Sequence, residues 1–249
     1  KPKVSYEGNM SISNVKKTID VLSADEFRKY VTNLYGGIND EAVSKLGNAN
    51  TDWQKQIYQV GASTDHNLSI LGGLKNMPYR ASVGFTRQNG ILRTSEFNRA
   101  TGAFNLSPSL FNDHLRMNLN AKGMYVTNQF AETGAVGSAA AMDPTQPVRS
   151  DDPLYKNLFG GYFQWHTVTE KDGVQQQNFN SLAVKNPVAM LMLKDDTSVA
   201  KTFTGSADID YRMHFLPELR AHLGLGLDVS DGKQDLYIDK ANADSHPHG

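Results

Sequence analysis

The sequence contains no cysteine, so disulfides, thiolate metal sites and thiol catalysis are all excluded. It has no run of about 18 apolar residues, which rules out a membrane-spanning helix. A barrel strand escapes that test, because it shows only every second residue to lipid. Charge of one sign is also missing: 25 Lys and Arg stand against 26 Asp and Glu, a formal net charge of −1. No global field therefore draws the chain to nucleic acid or to an anionic membrane surface. Apolar and charged residues, at 39% and 20%, both fall below the usual globular share. The opening Lys1-Pro2-Lys3 has none of the marks of a signal peptide, which a mature secreted protein would have lost.

What the chain does have is period two, repeated about seven times. In Lys3–Asn14, Val4, Tyr6, Met10 and Ile12 alternate with Lys3, Ser5, Glu7, Asn9 and Ser11. Tyr79, Ala81, Val83 and Phe85 alternate with Arg80, Ser82 and Thr86. Leu115, Met117, Leu119 and Ala121 alternate with His114, Arg116, Asn118, Asn120 and Lys122. Two further runs cover Thr202–Arg212 and Leu219–Val229, and weaker ones lie at Asn67–Leu71 and Arg99–Leu106. Strict alternation means a sheet with one apolar and one wet face. Several runs reach the roughly 9–11 residues that a tilted strand needs to cross the hydrocarbon layer. Tyr6, Tyr79, Tyr125 and Tyr211 fall near strand ends, where an interfacial aromatic girdle is expected.

Connection length supplies an independent test. Long and short links alternate: 15–62 is long, Gly73–Pro78 short, Gly90–Phe97 moderate, Pro108–Asp113 short, 129–200 very long and Leu216-Pro217-Glu218 tight. Outer-membrane barrels alternate in this way, with short periplasmic turns and long outer loops. The expected fold class is therefore all-β. It consists of antiparallel strands of a partial transmembrane barrel, with short helices in the extracellular loops 15–62 and 129–200. Ser23 with Glu26 predicts a capped helix over 23–34 that half-buries Phe27 and Tyr30. Thr51 with Gln54 predicts a second box ahead of Trp53, Ile57 and Val60. Gly134–Met142 predicts a short helix, and the prolines of Asp143–Val148 predict an extended stretch after it.

These residues resemble a known family. The path Asp20–Phe27, the motif Asn50-Thr51-Asp52-Trp53-Gln54, and His66–Ile70 with Gly72-Gly73 are similar to the first outer loop and second strand of SusC/RagA-type TonB-linked transporters. Tyr79–Gly90 resembles the family's third strand, and Asp143–Val148 and Asn186-Pro187-Val188-Ala189 follow in the family's order. The resemblance covers most of the chain, with Thr51-Asp52-Trp53 its most specific part. It implies a barrel of about 22 strands around a plug, energised through TonB, with a SusD-like surface lipoprotein as lid. The implied cargo is an oligosaccharide or peptide fragment, and the implied location is the outer membrane of a Gram-negative bacterium. Position one falls where the family's plug gives way to its first strand, so the chain is expected to be a stretch of a longer protein. A passive porin or adhesin, and a secreted soluble β-rich binding module, stay open as alternatives.

Chemistry of other kinds finds little footing. His114 and His222 take inward strand positions beside Arg116 and Arg220, and His246 and His248 sit in a polar tail. No four-ligand zinc spacing is visible, and no cofactor is expected. Asp151-Asp152 and Asp195-Asp196 are adjacent loop pairs without a partnering acid at a fixed distance. With no nucleophile elbow, phosphate loop or metalloprotease motif, the chain is not expected to be an enzyme. The residues offered as ligand- or lid-contacting are Trp53, Tyr155, Tyr162, Phe163, Trp165 and His166, for which ordinary loop packing is the competing reading.

Overall fold

The computed structural model describes residues 1–171 and 174–243. Its largest element is one antiparallel sheet. The long strands are β1 (Lys3–Ser13), β2 (Gly61–Leu74), β3 (Met77–Asn89) and β4 (Glu96–Leu106). The stub β5 (Ser109–Leu110) folds back onto β6 (Leu115–Gln129). Strands β7 (His166–Lys171) and β8 (Val174–Phe179) form a separate hairpin, and β9 (Lys194–Arg212) and β10 (Arg220–Ile238) complete the sheet. The main order is β1-β2-β3-β4-β6-β9-β10, each strand beside its sequence neighbour. The seven long strands match the seven runs of alternation. Among the described residues the outer edges of β1 and β10 pair with nothing further.

The register turns seven separate alternations into two continuous faces. Tyr6 lies opposite Leu68, then come Val83, Gly102, Gly123, Phe203 and Val229 across successive strands. The next row reads Val4, Ile70, Ala81, Phe104, Ala121, Gly205 and Leu227. A slip of one residue in any pair would carry that strand's apolar set to the other face. The apolar face is bare: Met10 and Val83 are 67% and 58% exposed.

Polar side chains bond to one another across the opposite face. Asn105 Nδ2 donates to Asn118 and Asn120 Oδ1, 2.9 and 2.5 Å away, and Asn120 Nδ2 donates to Ser206 Oγ at 3.2 Å. The Thr86 hydroxyl donates to Asp65 at 2.5 Å, and Arg99 donates to Thr86 Oγ1 at 3.2 Å.

The strands overrun the predicted turns. The β2–β3 turn shrinks to Lys75-Asn76, with Lys75 in the left-handed region at φ 49. Pro78 belongs to β3 and accepts a bond from Ser107 N at its carbonyl, 3.0 Å away. Strand β9 starts at Lys194, so the connection predicted over 129–200 ends seven residues earlier. Asp195 and Asp196 therefore belong to a strand and not to a loop. Alternation fades there because Asp195 and Asp196 interrupt it, while backbone pairing to β10 continues from Lys194↔Ile238 onward.

Among the described residues six helices stand at the long-loop end: α1 (Ala24–Tyr35), α2 (Asp40–Ser44), α3 (Trp53–Ile57), α4 (Gly134–Ala141), α5 (Pro153–Leu158) and α6 (Pro187–Met192). Helix α1 begins as the capping box predicts: Ser23 caps Glu26 N, and Glu26 reaches back to Ser23 N at 2.9 Å. The bond from Ser23 holds the Glu26 carboxyl below its ordinary pKa. Phe27 is half-buried, but Tyr30 is 58% exposed, because Ala24 and Val31 form the buried stripe instead.

The second predicted box does not form. Asp52 caps α3 by accepting from Lys55 N, Thr51 bonds elsewhere, and Val60 lies exposed beyond the helix. Asp143–Val148 is a turn and not an extended run: Asp143 Oδ1 accepts from Thr145 N at 2.7 Å, an Asx turn that outweighs the prolines' preference. Of the histidines, His246 and His248 lie outside the described residues.

Candidate functional site

The two long connections fold together into one loop body, and its core explains most of the aromatic residues in it. Trp53 and Ile57 from α3 meet Ala135, Ala139 and Met142 of the α4 region, with Met190 and Leu191 of α6 and Phe163. Full burial of Ile57 and Leu191 is worth about 1.5–3 kcal/mol each. Trp53 buries its ring and donates Nε1–H to the Asp143 carbonyl at 2.8 Å, so its one polar atom is satisfied.

Backbone and side-chain bonds join segments about a hundred residues apart. Ala49 N donates to Thr145 O and Thr51 N to Pro144 O, both at 2.9 Å. Thr51 Oγ1 donates to Gln146 O at 2.6 Å, and Gln146 Nε2 donates to Lys45 O at 2.8 Å. Gly47 sits where any Cβ would come within 2.3 Å of the Thr145 carbonyl, so only glycine allows this approach. Gln54 plays a similar part toward the first connection: its amide both accepts from Ile19 N and donates to Ile19 O, at 2.9 and 2.8 Å.

Two buried amides, Asn186 and Gln164, fasten the other half, with Gln164 Oε1 accepting from Asn186 N at 2.9 Å. Asn186, fully buried, caps α6 by accepting from Val188 N and Ala189 N. Its Nδ2 donates to Val148 O at 3.0 Å and Phe163 O at 2.9 Å. The body is tied to the sheet by Lys194, whose ammonium lies 2.8 Å from Glu132 and 3.9 Å from Asp196. That hydrogen bond holds the Glu132 carboxyl below its ordinary pKa, against the opposing effect of partial burial.

The six aromatic and imidazole residues singled out from sequence divide by placement. Trp53, Tyr162 and Phe163 are buried within the body, and Tyr162 is covered by Arg149, whose guanidinium carbon sits 4.2 Å over the ring. Tyr155, Trp165 and His166 are half-buried and keep some open surface. Tyr155 lies edge-on to His166 at 5.7 Å, and Trp165 edge-on to Phe163 at 5.2 Å. Burial raises the Tyr155 phenol pKa, and the charge of Asp152 adds to the rise.

Sequence reading missed the polar fasteners Gln54, Gln146 and Asn186, because a buried amide carries no periodic signal. A mixed cleft of about 930 Å³ opens between Thr18–Phe27, Asn50–Gln54 and Ala139–Met142. Among the described residues no cluster of three or more His, Asp or Glu could hold a metal.

A bare apolar band on one side, a hydrogen-bonded polar wall on the other and a folded cap at the long-loop end define a section of transmembrane β-barrel. No family profile matches the chain. Among individual proteins, it is 45% identical over 242 residues to the TonB-dependent receptor SusC of Bacteroides thetaiotaomicron, covering 95% of this chain and 24% of that one. It is 30% identical over 169 residues to TonB-dependent receptor P3 of Formosa agariphila, covering 65% of this chain and 16% of that one. The closed-closed state of the RagAB peptide importer matches in fold with a TM-score of 0.65 at 15% identity, over 99% of this chain and 30% of that one. The open-open state gives 0.62 at 14% identity, over 95% and 28%.

The chain belongs to the SusC/RagA-type TonB-dependent receptors, as a stretch of their barrel with its loops. It spans about a quarter or less of the length of the curated relatives it matches.

Proposed function

We propose that this chain is part of the wall and outer cap of a TonB-dependent importer in a Gram-negative outer membrane. Likeness to SusC across 95% of the chain carries the reading, and the dimensions of the apolar band support it. On β6 the band runs from Leu115 to Tyr125, roughly 33 Å of strand. Tilted by about 45°, that spans a height close to the roughly 25 Å band of outer-membrane barrels. Beyond Tyr125 the same face becomes mixed, the next row carrying Thr64, Arg87, Asn98 and Thr127 together with Met10 and Val199. The band therefore meets lipid, the polar wall faces the lumen, the connections 14–60 and 130–193 lie outside, and the turns near 75, 110 and 217 lie in the periplasm.

Cargo is an oligosaccharide or peptide fragment, a SusD-like lipoprotein closes over the outer loops, and TonB acts through a plug. The half-open Tyr155, Trp165 and His166 are the residues of the loop body offered to lid or cargo, while Trp53, Tyr162 and Phe163 shape the surface from beneath.

In cells carrying the intact parent receptor, uptake of its cargo should stop when TonB is depleted or the adjacent lipoprotein gene is deleted. Uptake that persists without TonB would mark a passive porin instead.

A further inference from the structure

The loop body is finished differently at its two ends. Beside β10 the next outer connection has begun, and its first residues are already packed in. Asp239 N donates to Leu193 O at 2.9 Å, Ala241 lies against Gly160, and Asn242 and Ala243 are buried. Beside β1 the stretch 14–22 is bare. From Lys16 to Leu22 the backbone bonds to nothing among the described residues except at Ile19, which the Gln54 amide holds. Ile19, Val21 and Leu22 are 53%, 51% and 46% exposed, and all three line the cleft of about 930 Å³. Large apolar residues grouped on a surface that stands in water mark a place that another surface covers.

Topology indicates which surface. Backbone groups on a strand edge within a bilayer must be paired, so the open edge of β1 is closed by a strand from the part of the receptor outside this chain. With neighbours in sequence order, that strand is the receptor's last. Every pair in the sheet is antiparallel, and β1 runs from the short-turn end at Lys3 to the long-loop end at Ser13. The closing strand therefore enters at the long-loop end. The connection that leads into it comes down beside Ser13, where the bare stretch begins.

We propose that this last outer connection lies in the cleft, covers Ile19, Val21 and Leu22, and clasps the loop body across the seam between first and last strands. The inference rests on the reading that the sheet is part of a closed barrel. A lid that comes and goes fits less well, because the closing strand brings its own connection here in every state. The lining sets the chemistry: it includes the carboxylates of Asp20, Glu26 and Asp52, and no Lys or Arg. Glu26 is engaged by Ser23, and Asp52 by Lys55 at 3.6 Å, whereas Asp20 has no partner among the described residues. The segment that fits carries apolar side chains, with one Lys or Arg set against Asp20. Through Ile19 and Gln54 the clasp ties α3, and the core around Trp53, to the far end of the receptor.

The test uses the full-length receptor in outer-membrane vesicles, with p-benzoylphenylalanine in place of Val21, Ile38 or Tyr6 in turn and cross-links mapped by peptide. Ile38 is exposed on the loop body but outside the cleft, and Tyr6 on β1 reports closure of the barrel. Val21 should link to the connection before the last strand, Ile38 should not, and Tyr6 should link to the last strand itself. Val21→Asp should speed hydrogen exchange in that connection about tenfold, the factor for half-burial of one apolar side chain, and leave β2–β4 unchanged.

Links from Val21 to a surface lipoprotein or to a second copy, or no link beside a working Tyr6 link, would overturn the clasp while upholding the barrel. Unchanged exchange in Val21→Asp would overturn it as well. Should that variant fail to fold, the cross-links still decide. If Tyr6 does not reach the last strand, the closed-barrel reading fails and the clasp with it.

Discussion

The sheet and the loop body are built by opposite means. In the sheet the backbone supplies the bonds, between strands adjacent in sequence, and large apolar side chains such as Met10, Val83 and Leu227 stand bare. In the loop body a core of apolar residues such as Trp53, Ile57 and Leu191 is inside, while Ile38 and Leu182 stay exposed, and buried side-chain amides on Gln54, Gln146 and Asn186 tie together segments far apart in the chain. The sheet needs an apolar solvent to be satisfied, whereas the body carries a water-soluble protein's economy of core and polar fasteners. Mutations should therefore act by different rules in the two regions.

The largest expected effect lies in the body. Trp53→Ala removes a buried ring and orphans the Asp143 carbonyl, and large-to-small aromatic changes of this kind cost about 3–5 kcal/mol. Hydrogen exchange on the intact receptor should show 45–57 and 134–146 opening while β2–β4 keep their protection. Equal loss of protection in the sheet would erase the distinction between the regions.

A pair of neighbours sharpens the comparison within the wall. Leu119 lies in the apolar band and Asn120 on the polar face. Leu119→Arg should destabilise the folded receptor in lipid by about 2–4 kcal/mol, the range for Arg at midplane, and Asn120→Arg by much less. Urea unfolding in bilayers would measure both, and equal costs would mean the faces are misassigned.

A smaller effect concerns the tie between the regions. Glu132 has its folded pKa lowered by Lys194, so its contribution is present above the unfolded carboxylate pKa of about 4.3 and is lost as pH falls through the folded value. Glu132→Gln should cost about 1.5–3 kcal/mol at neutral pH, as for a bond to a charged group. It should leave the loop body's acid sensitivity below about pH 4 reduced, which hydrogen exchange of 130–136 against pH would show.

The same contrast explains what could be read from the amino-acid order. A strand with one face in lipid must alternate, so Val4–Ile12 and Leu115–Ala121 announce themselves, and the Ser23/Glu26 box announces α1. The loop body's assembly was hidden. Nothing local tells that Gly47 must admit the Thr145 carbonyl, or that Asp143 turns its segment despite two prolines. Packing is the favoured reading of Trp53 and Phe163 from the sequence, but the partner that takes the Trp53 indole N–H, Asp143, lies ninety residues away and leaves no local mark.

The central claim is that the sheet spans a membrane with the loop body on the cell surface. Ser181 is exposed in the long connection, and Asn76 is exposed in the β2–β3 turn at the other end of the strands. Single cysteines there, in a cysteine-free intact receptor, can be probed on whole cells with a membrane-impermeant maleimide. Ser181→Cys should label at once, and Asn76→Cys only after the outer membrane is opened. Labelling of Asn76→Cys on intact cells with Ser181→Cys protected would invert the topology, and equal labelling of both in a detergent-free soluble receptor would contradict the barrel.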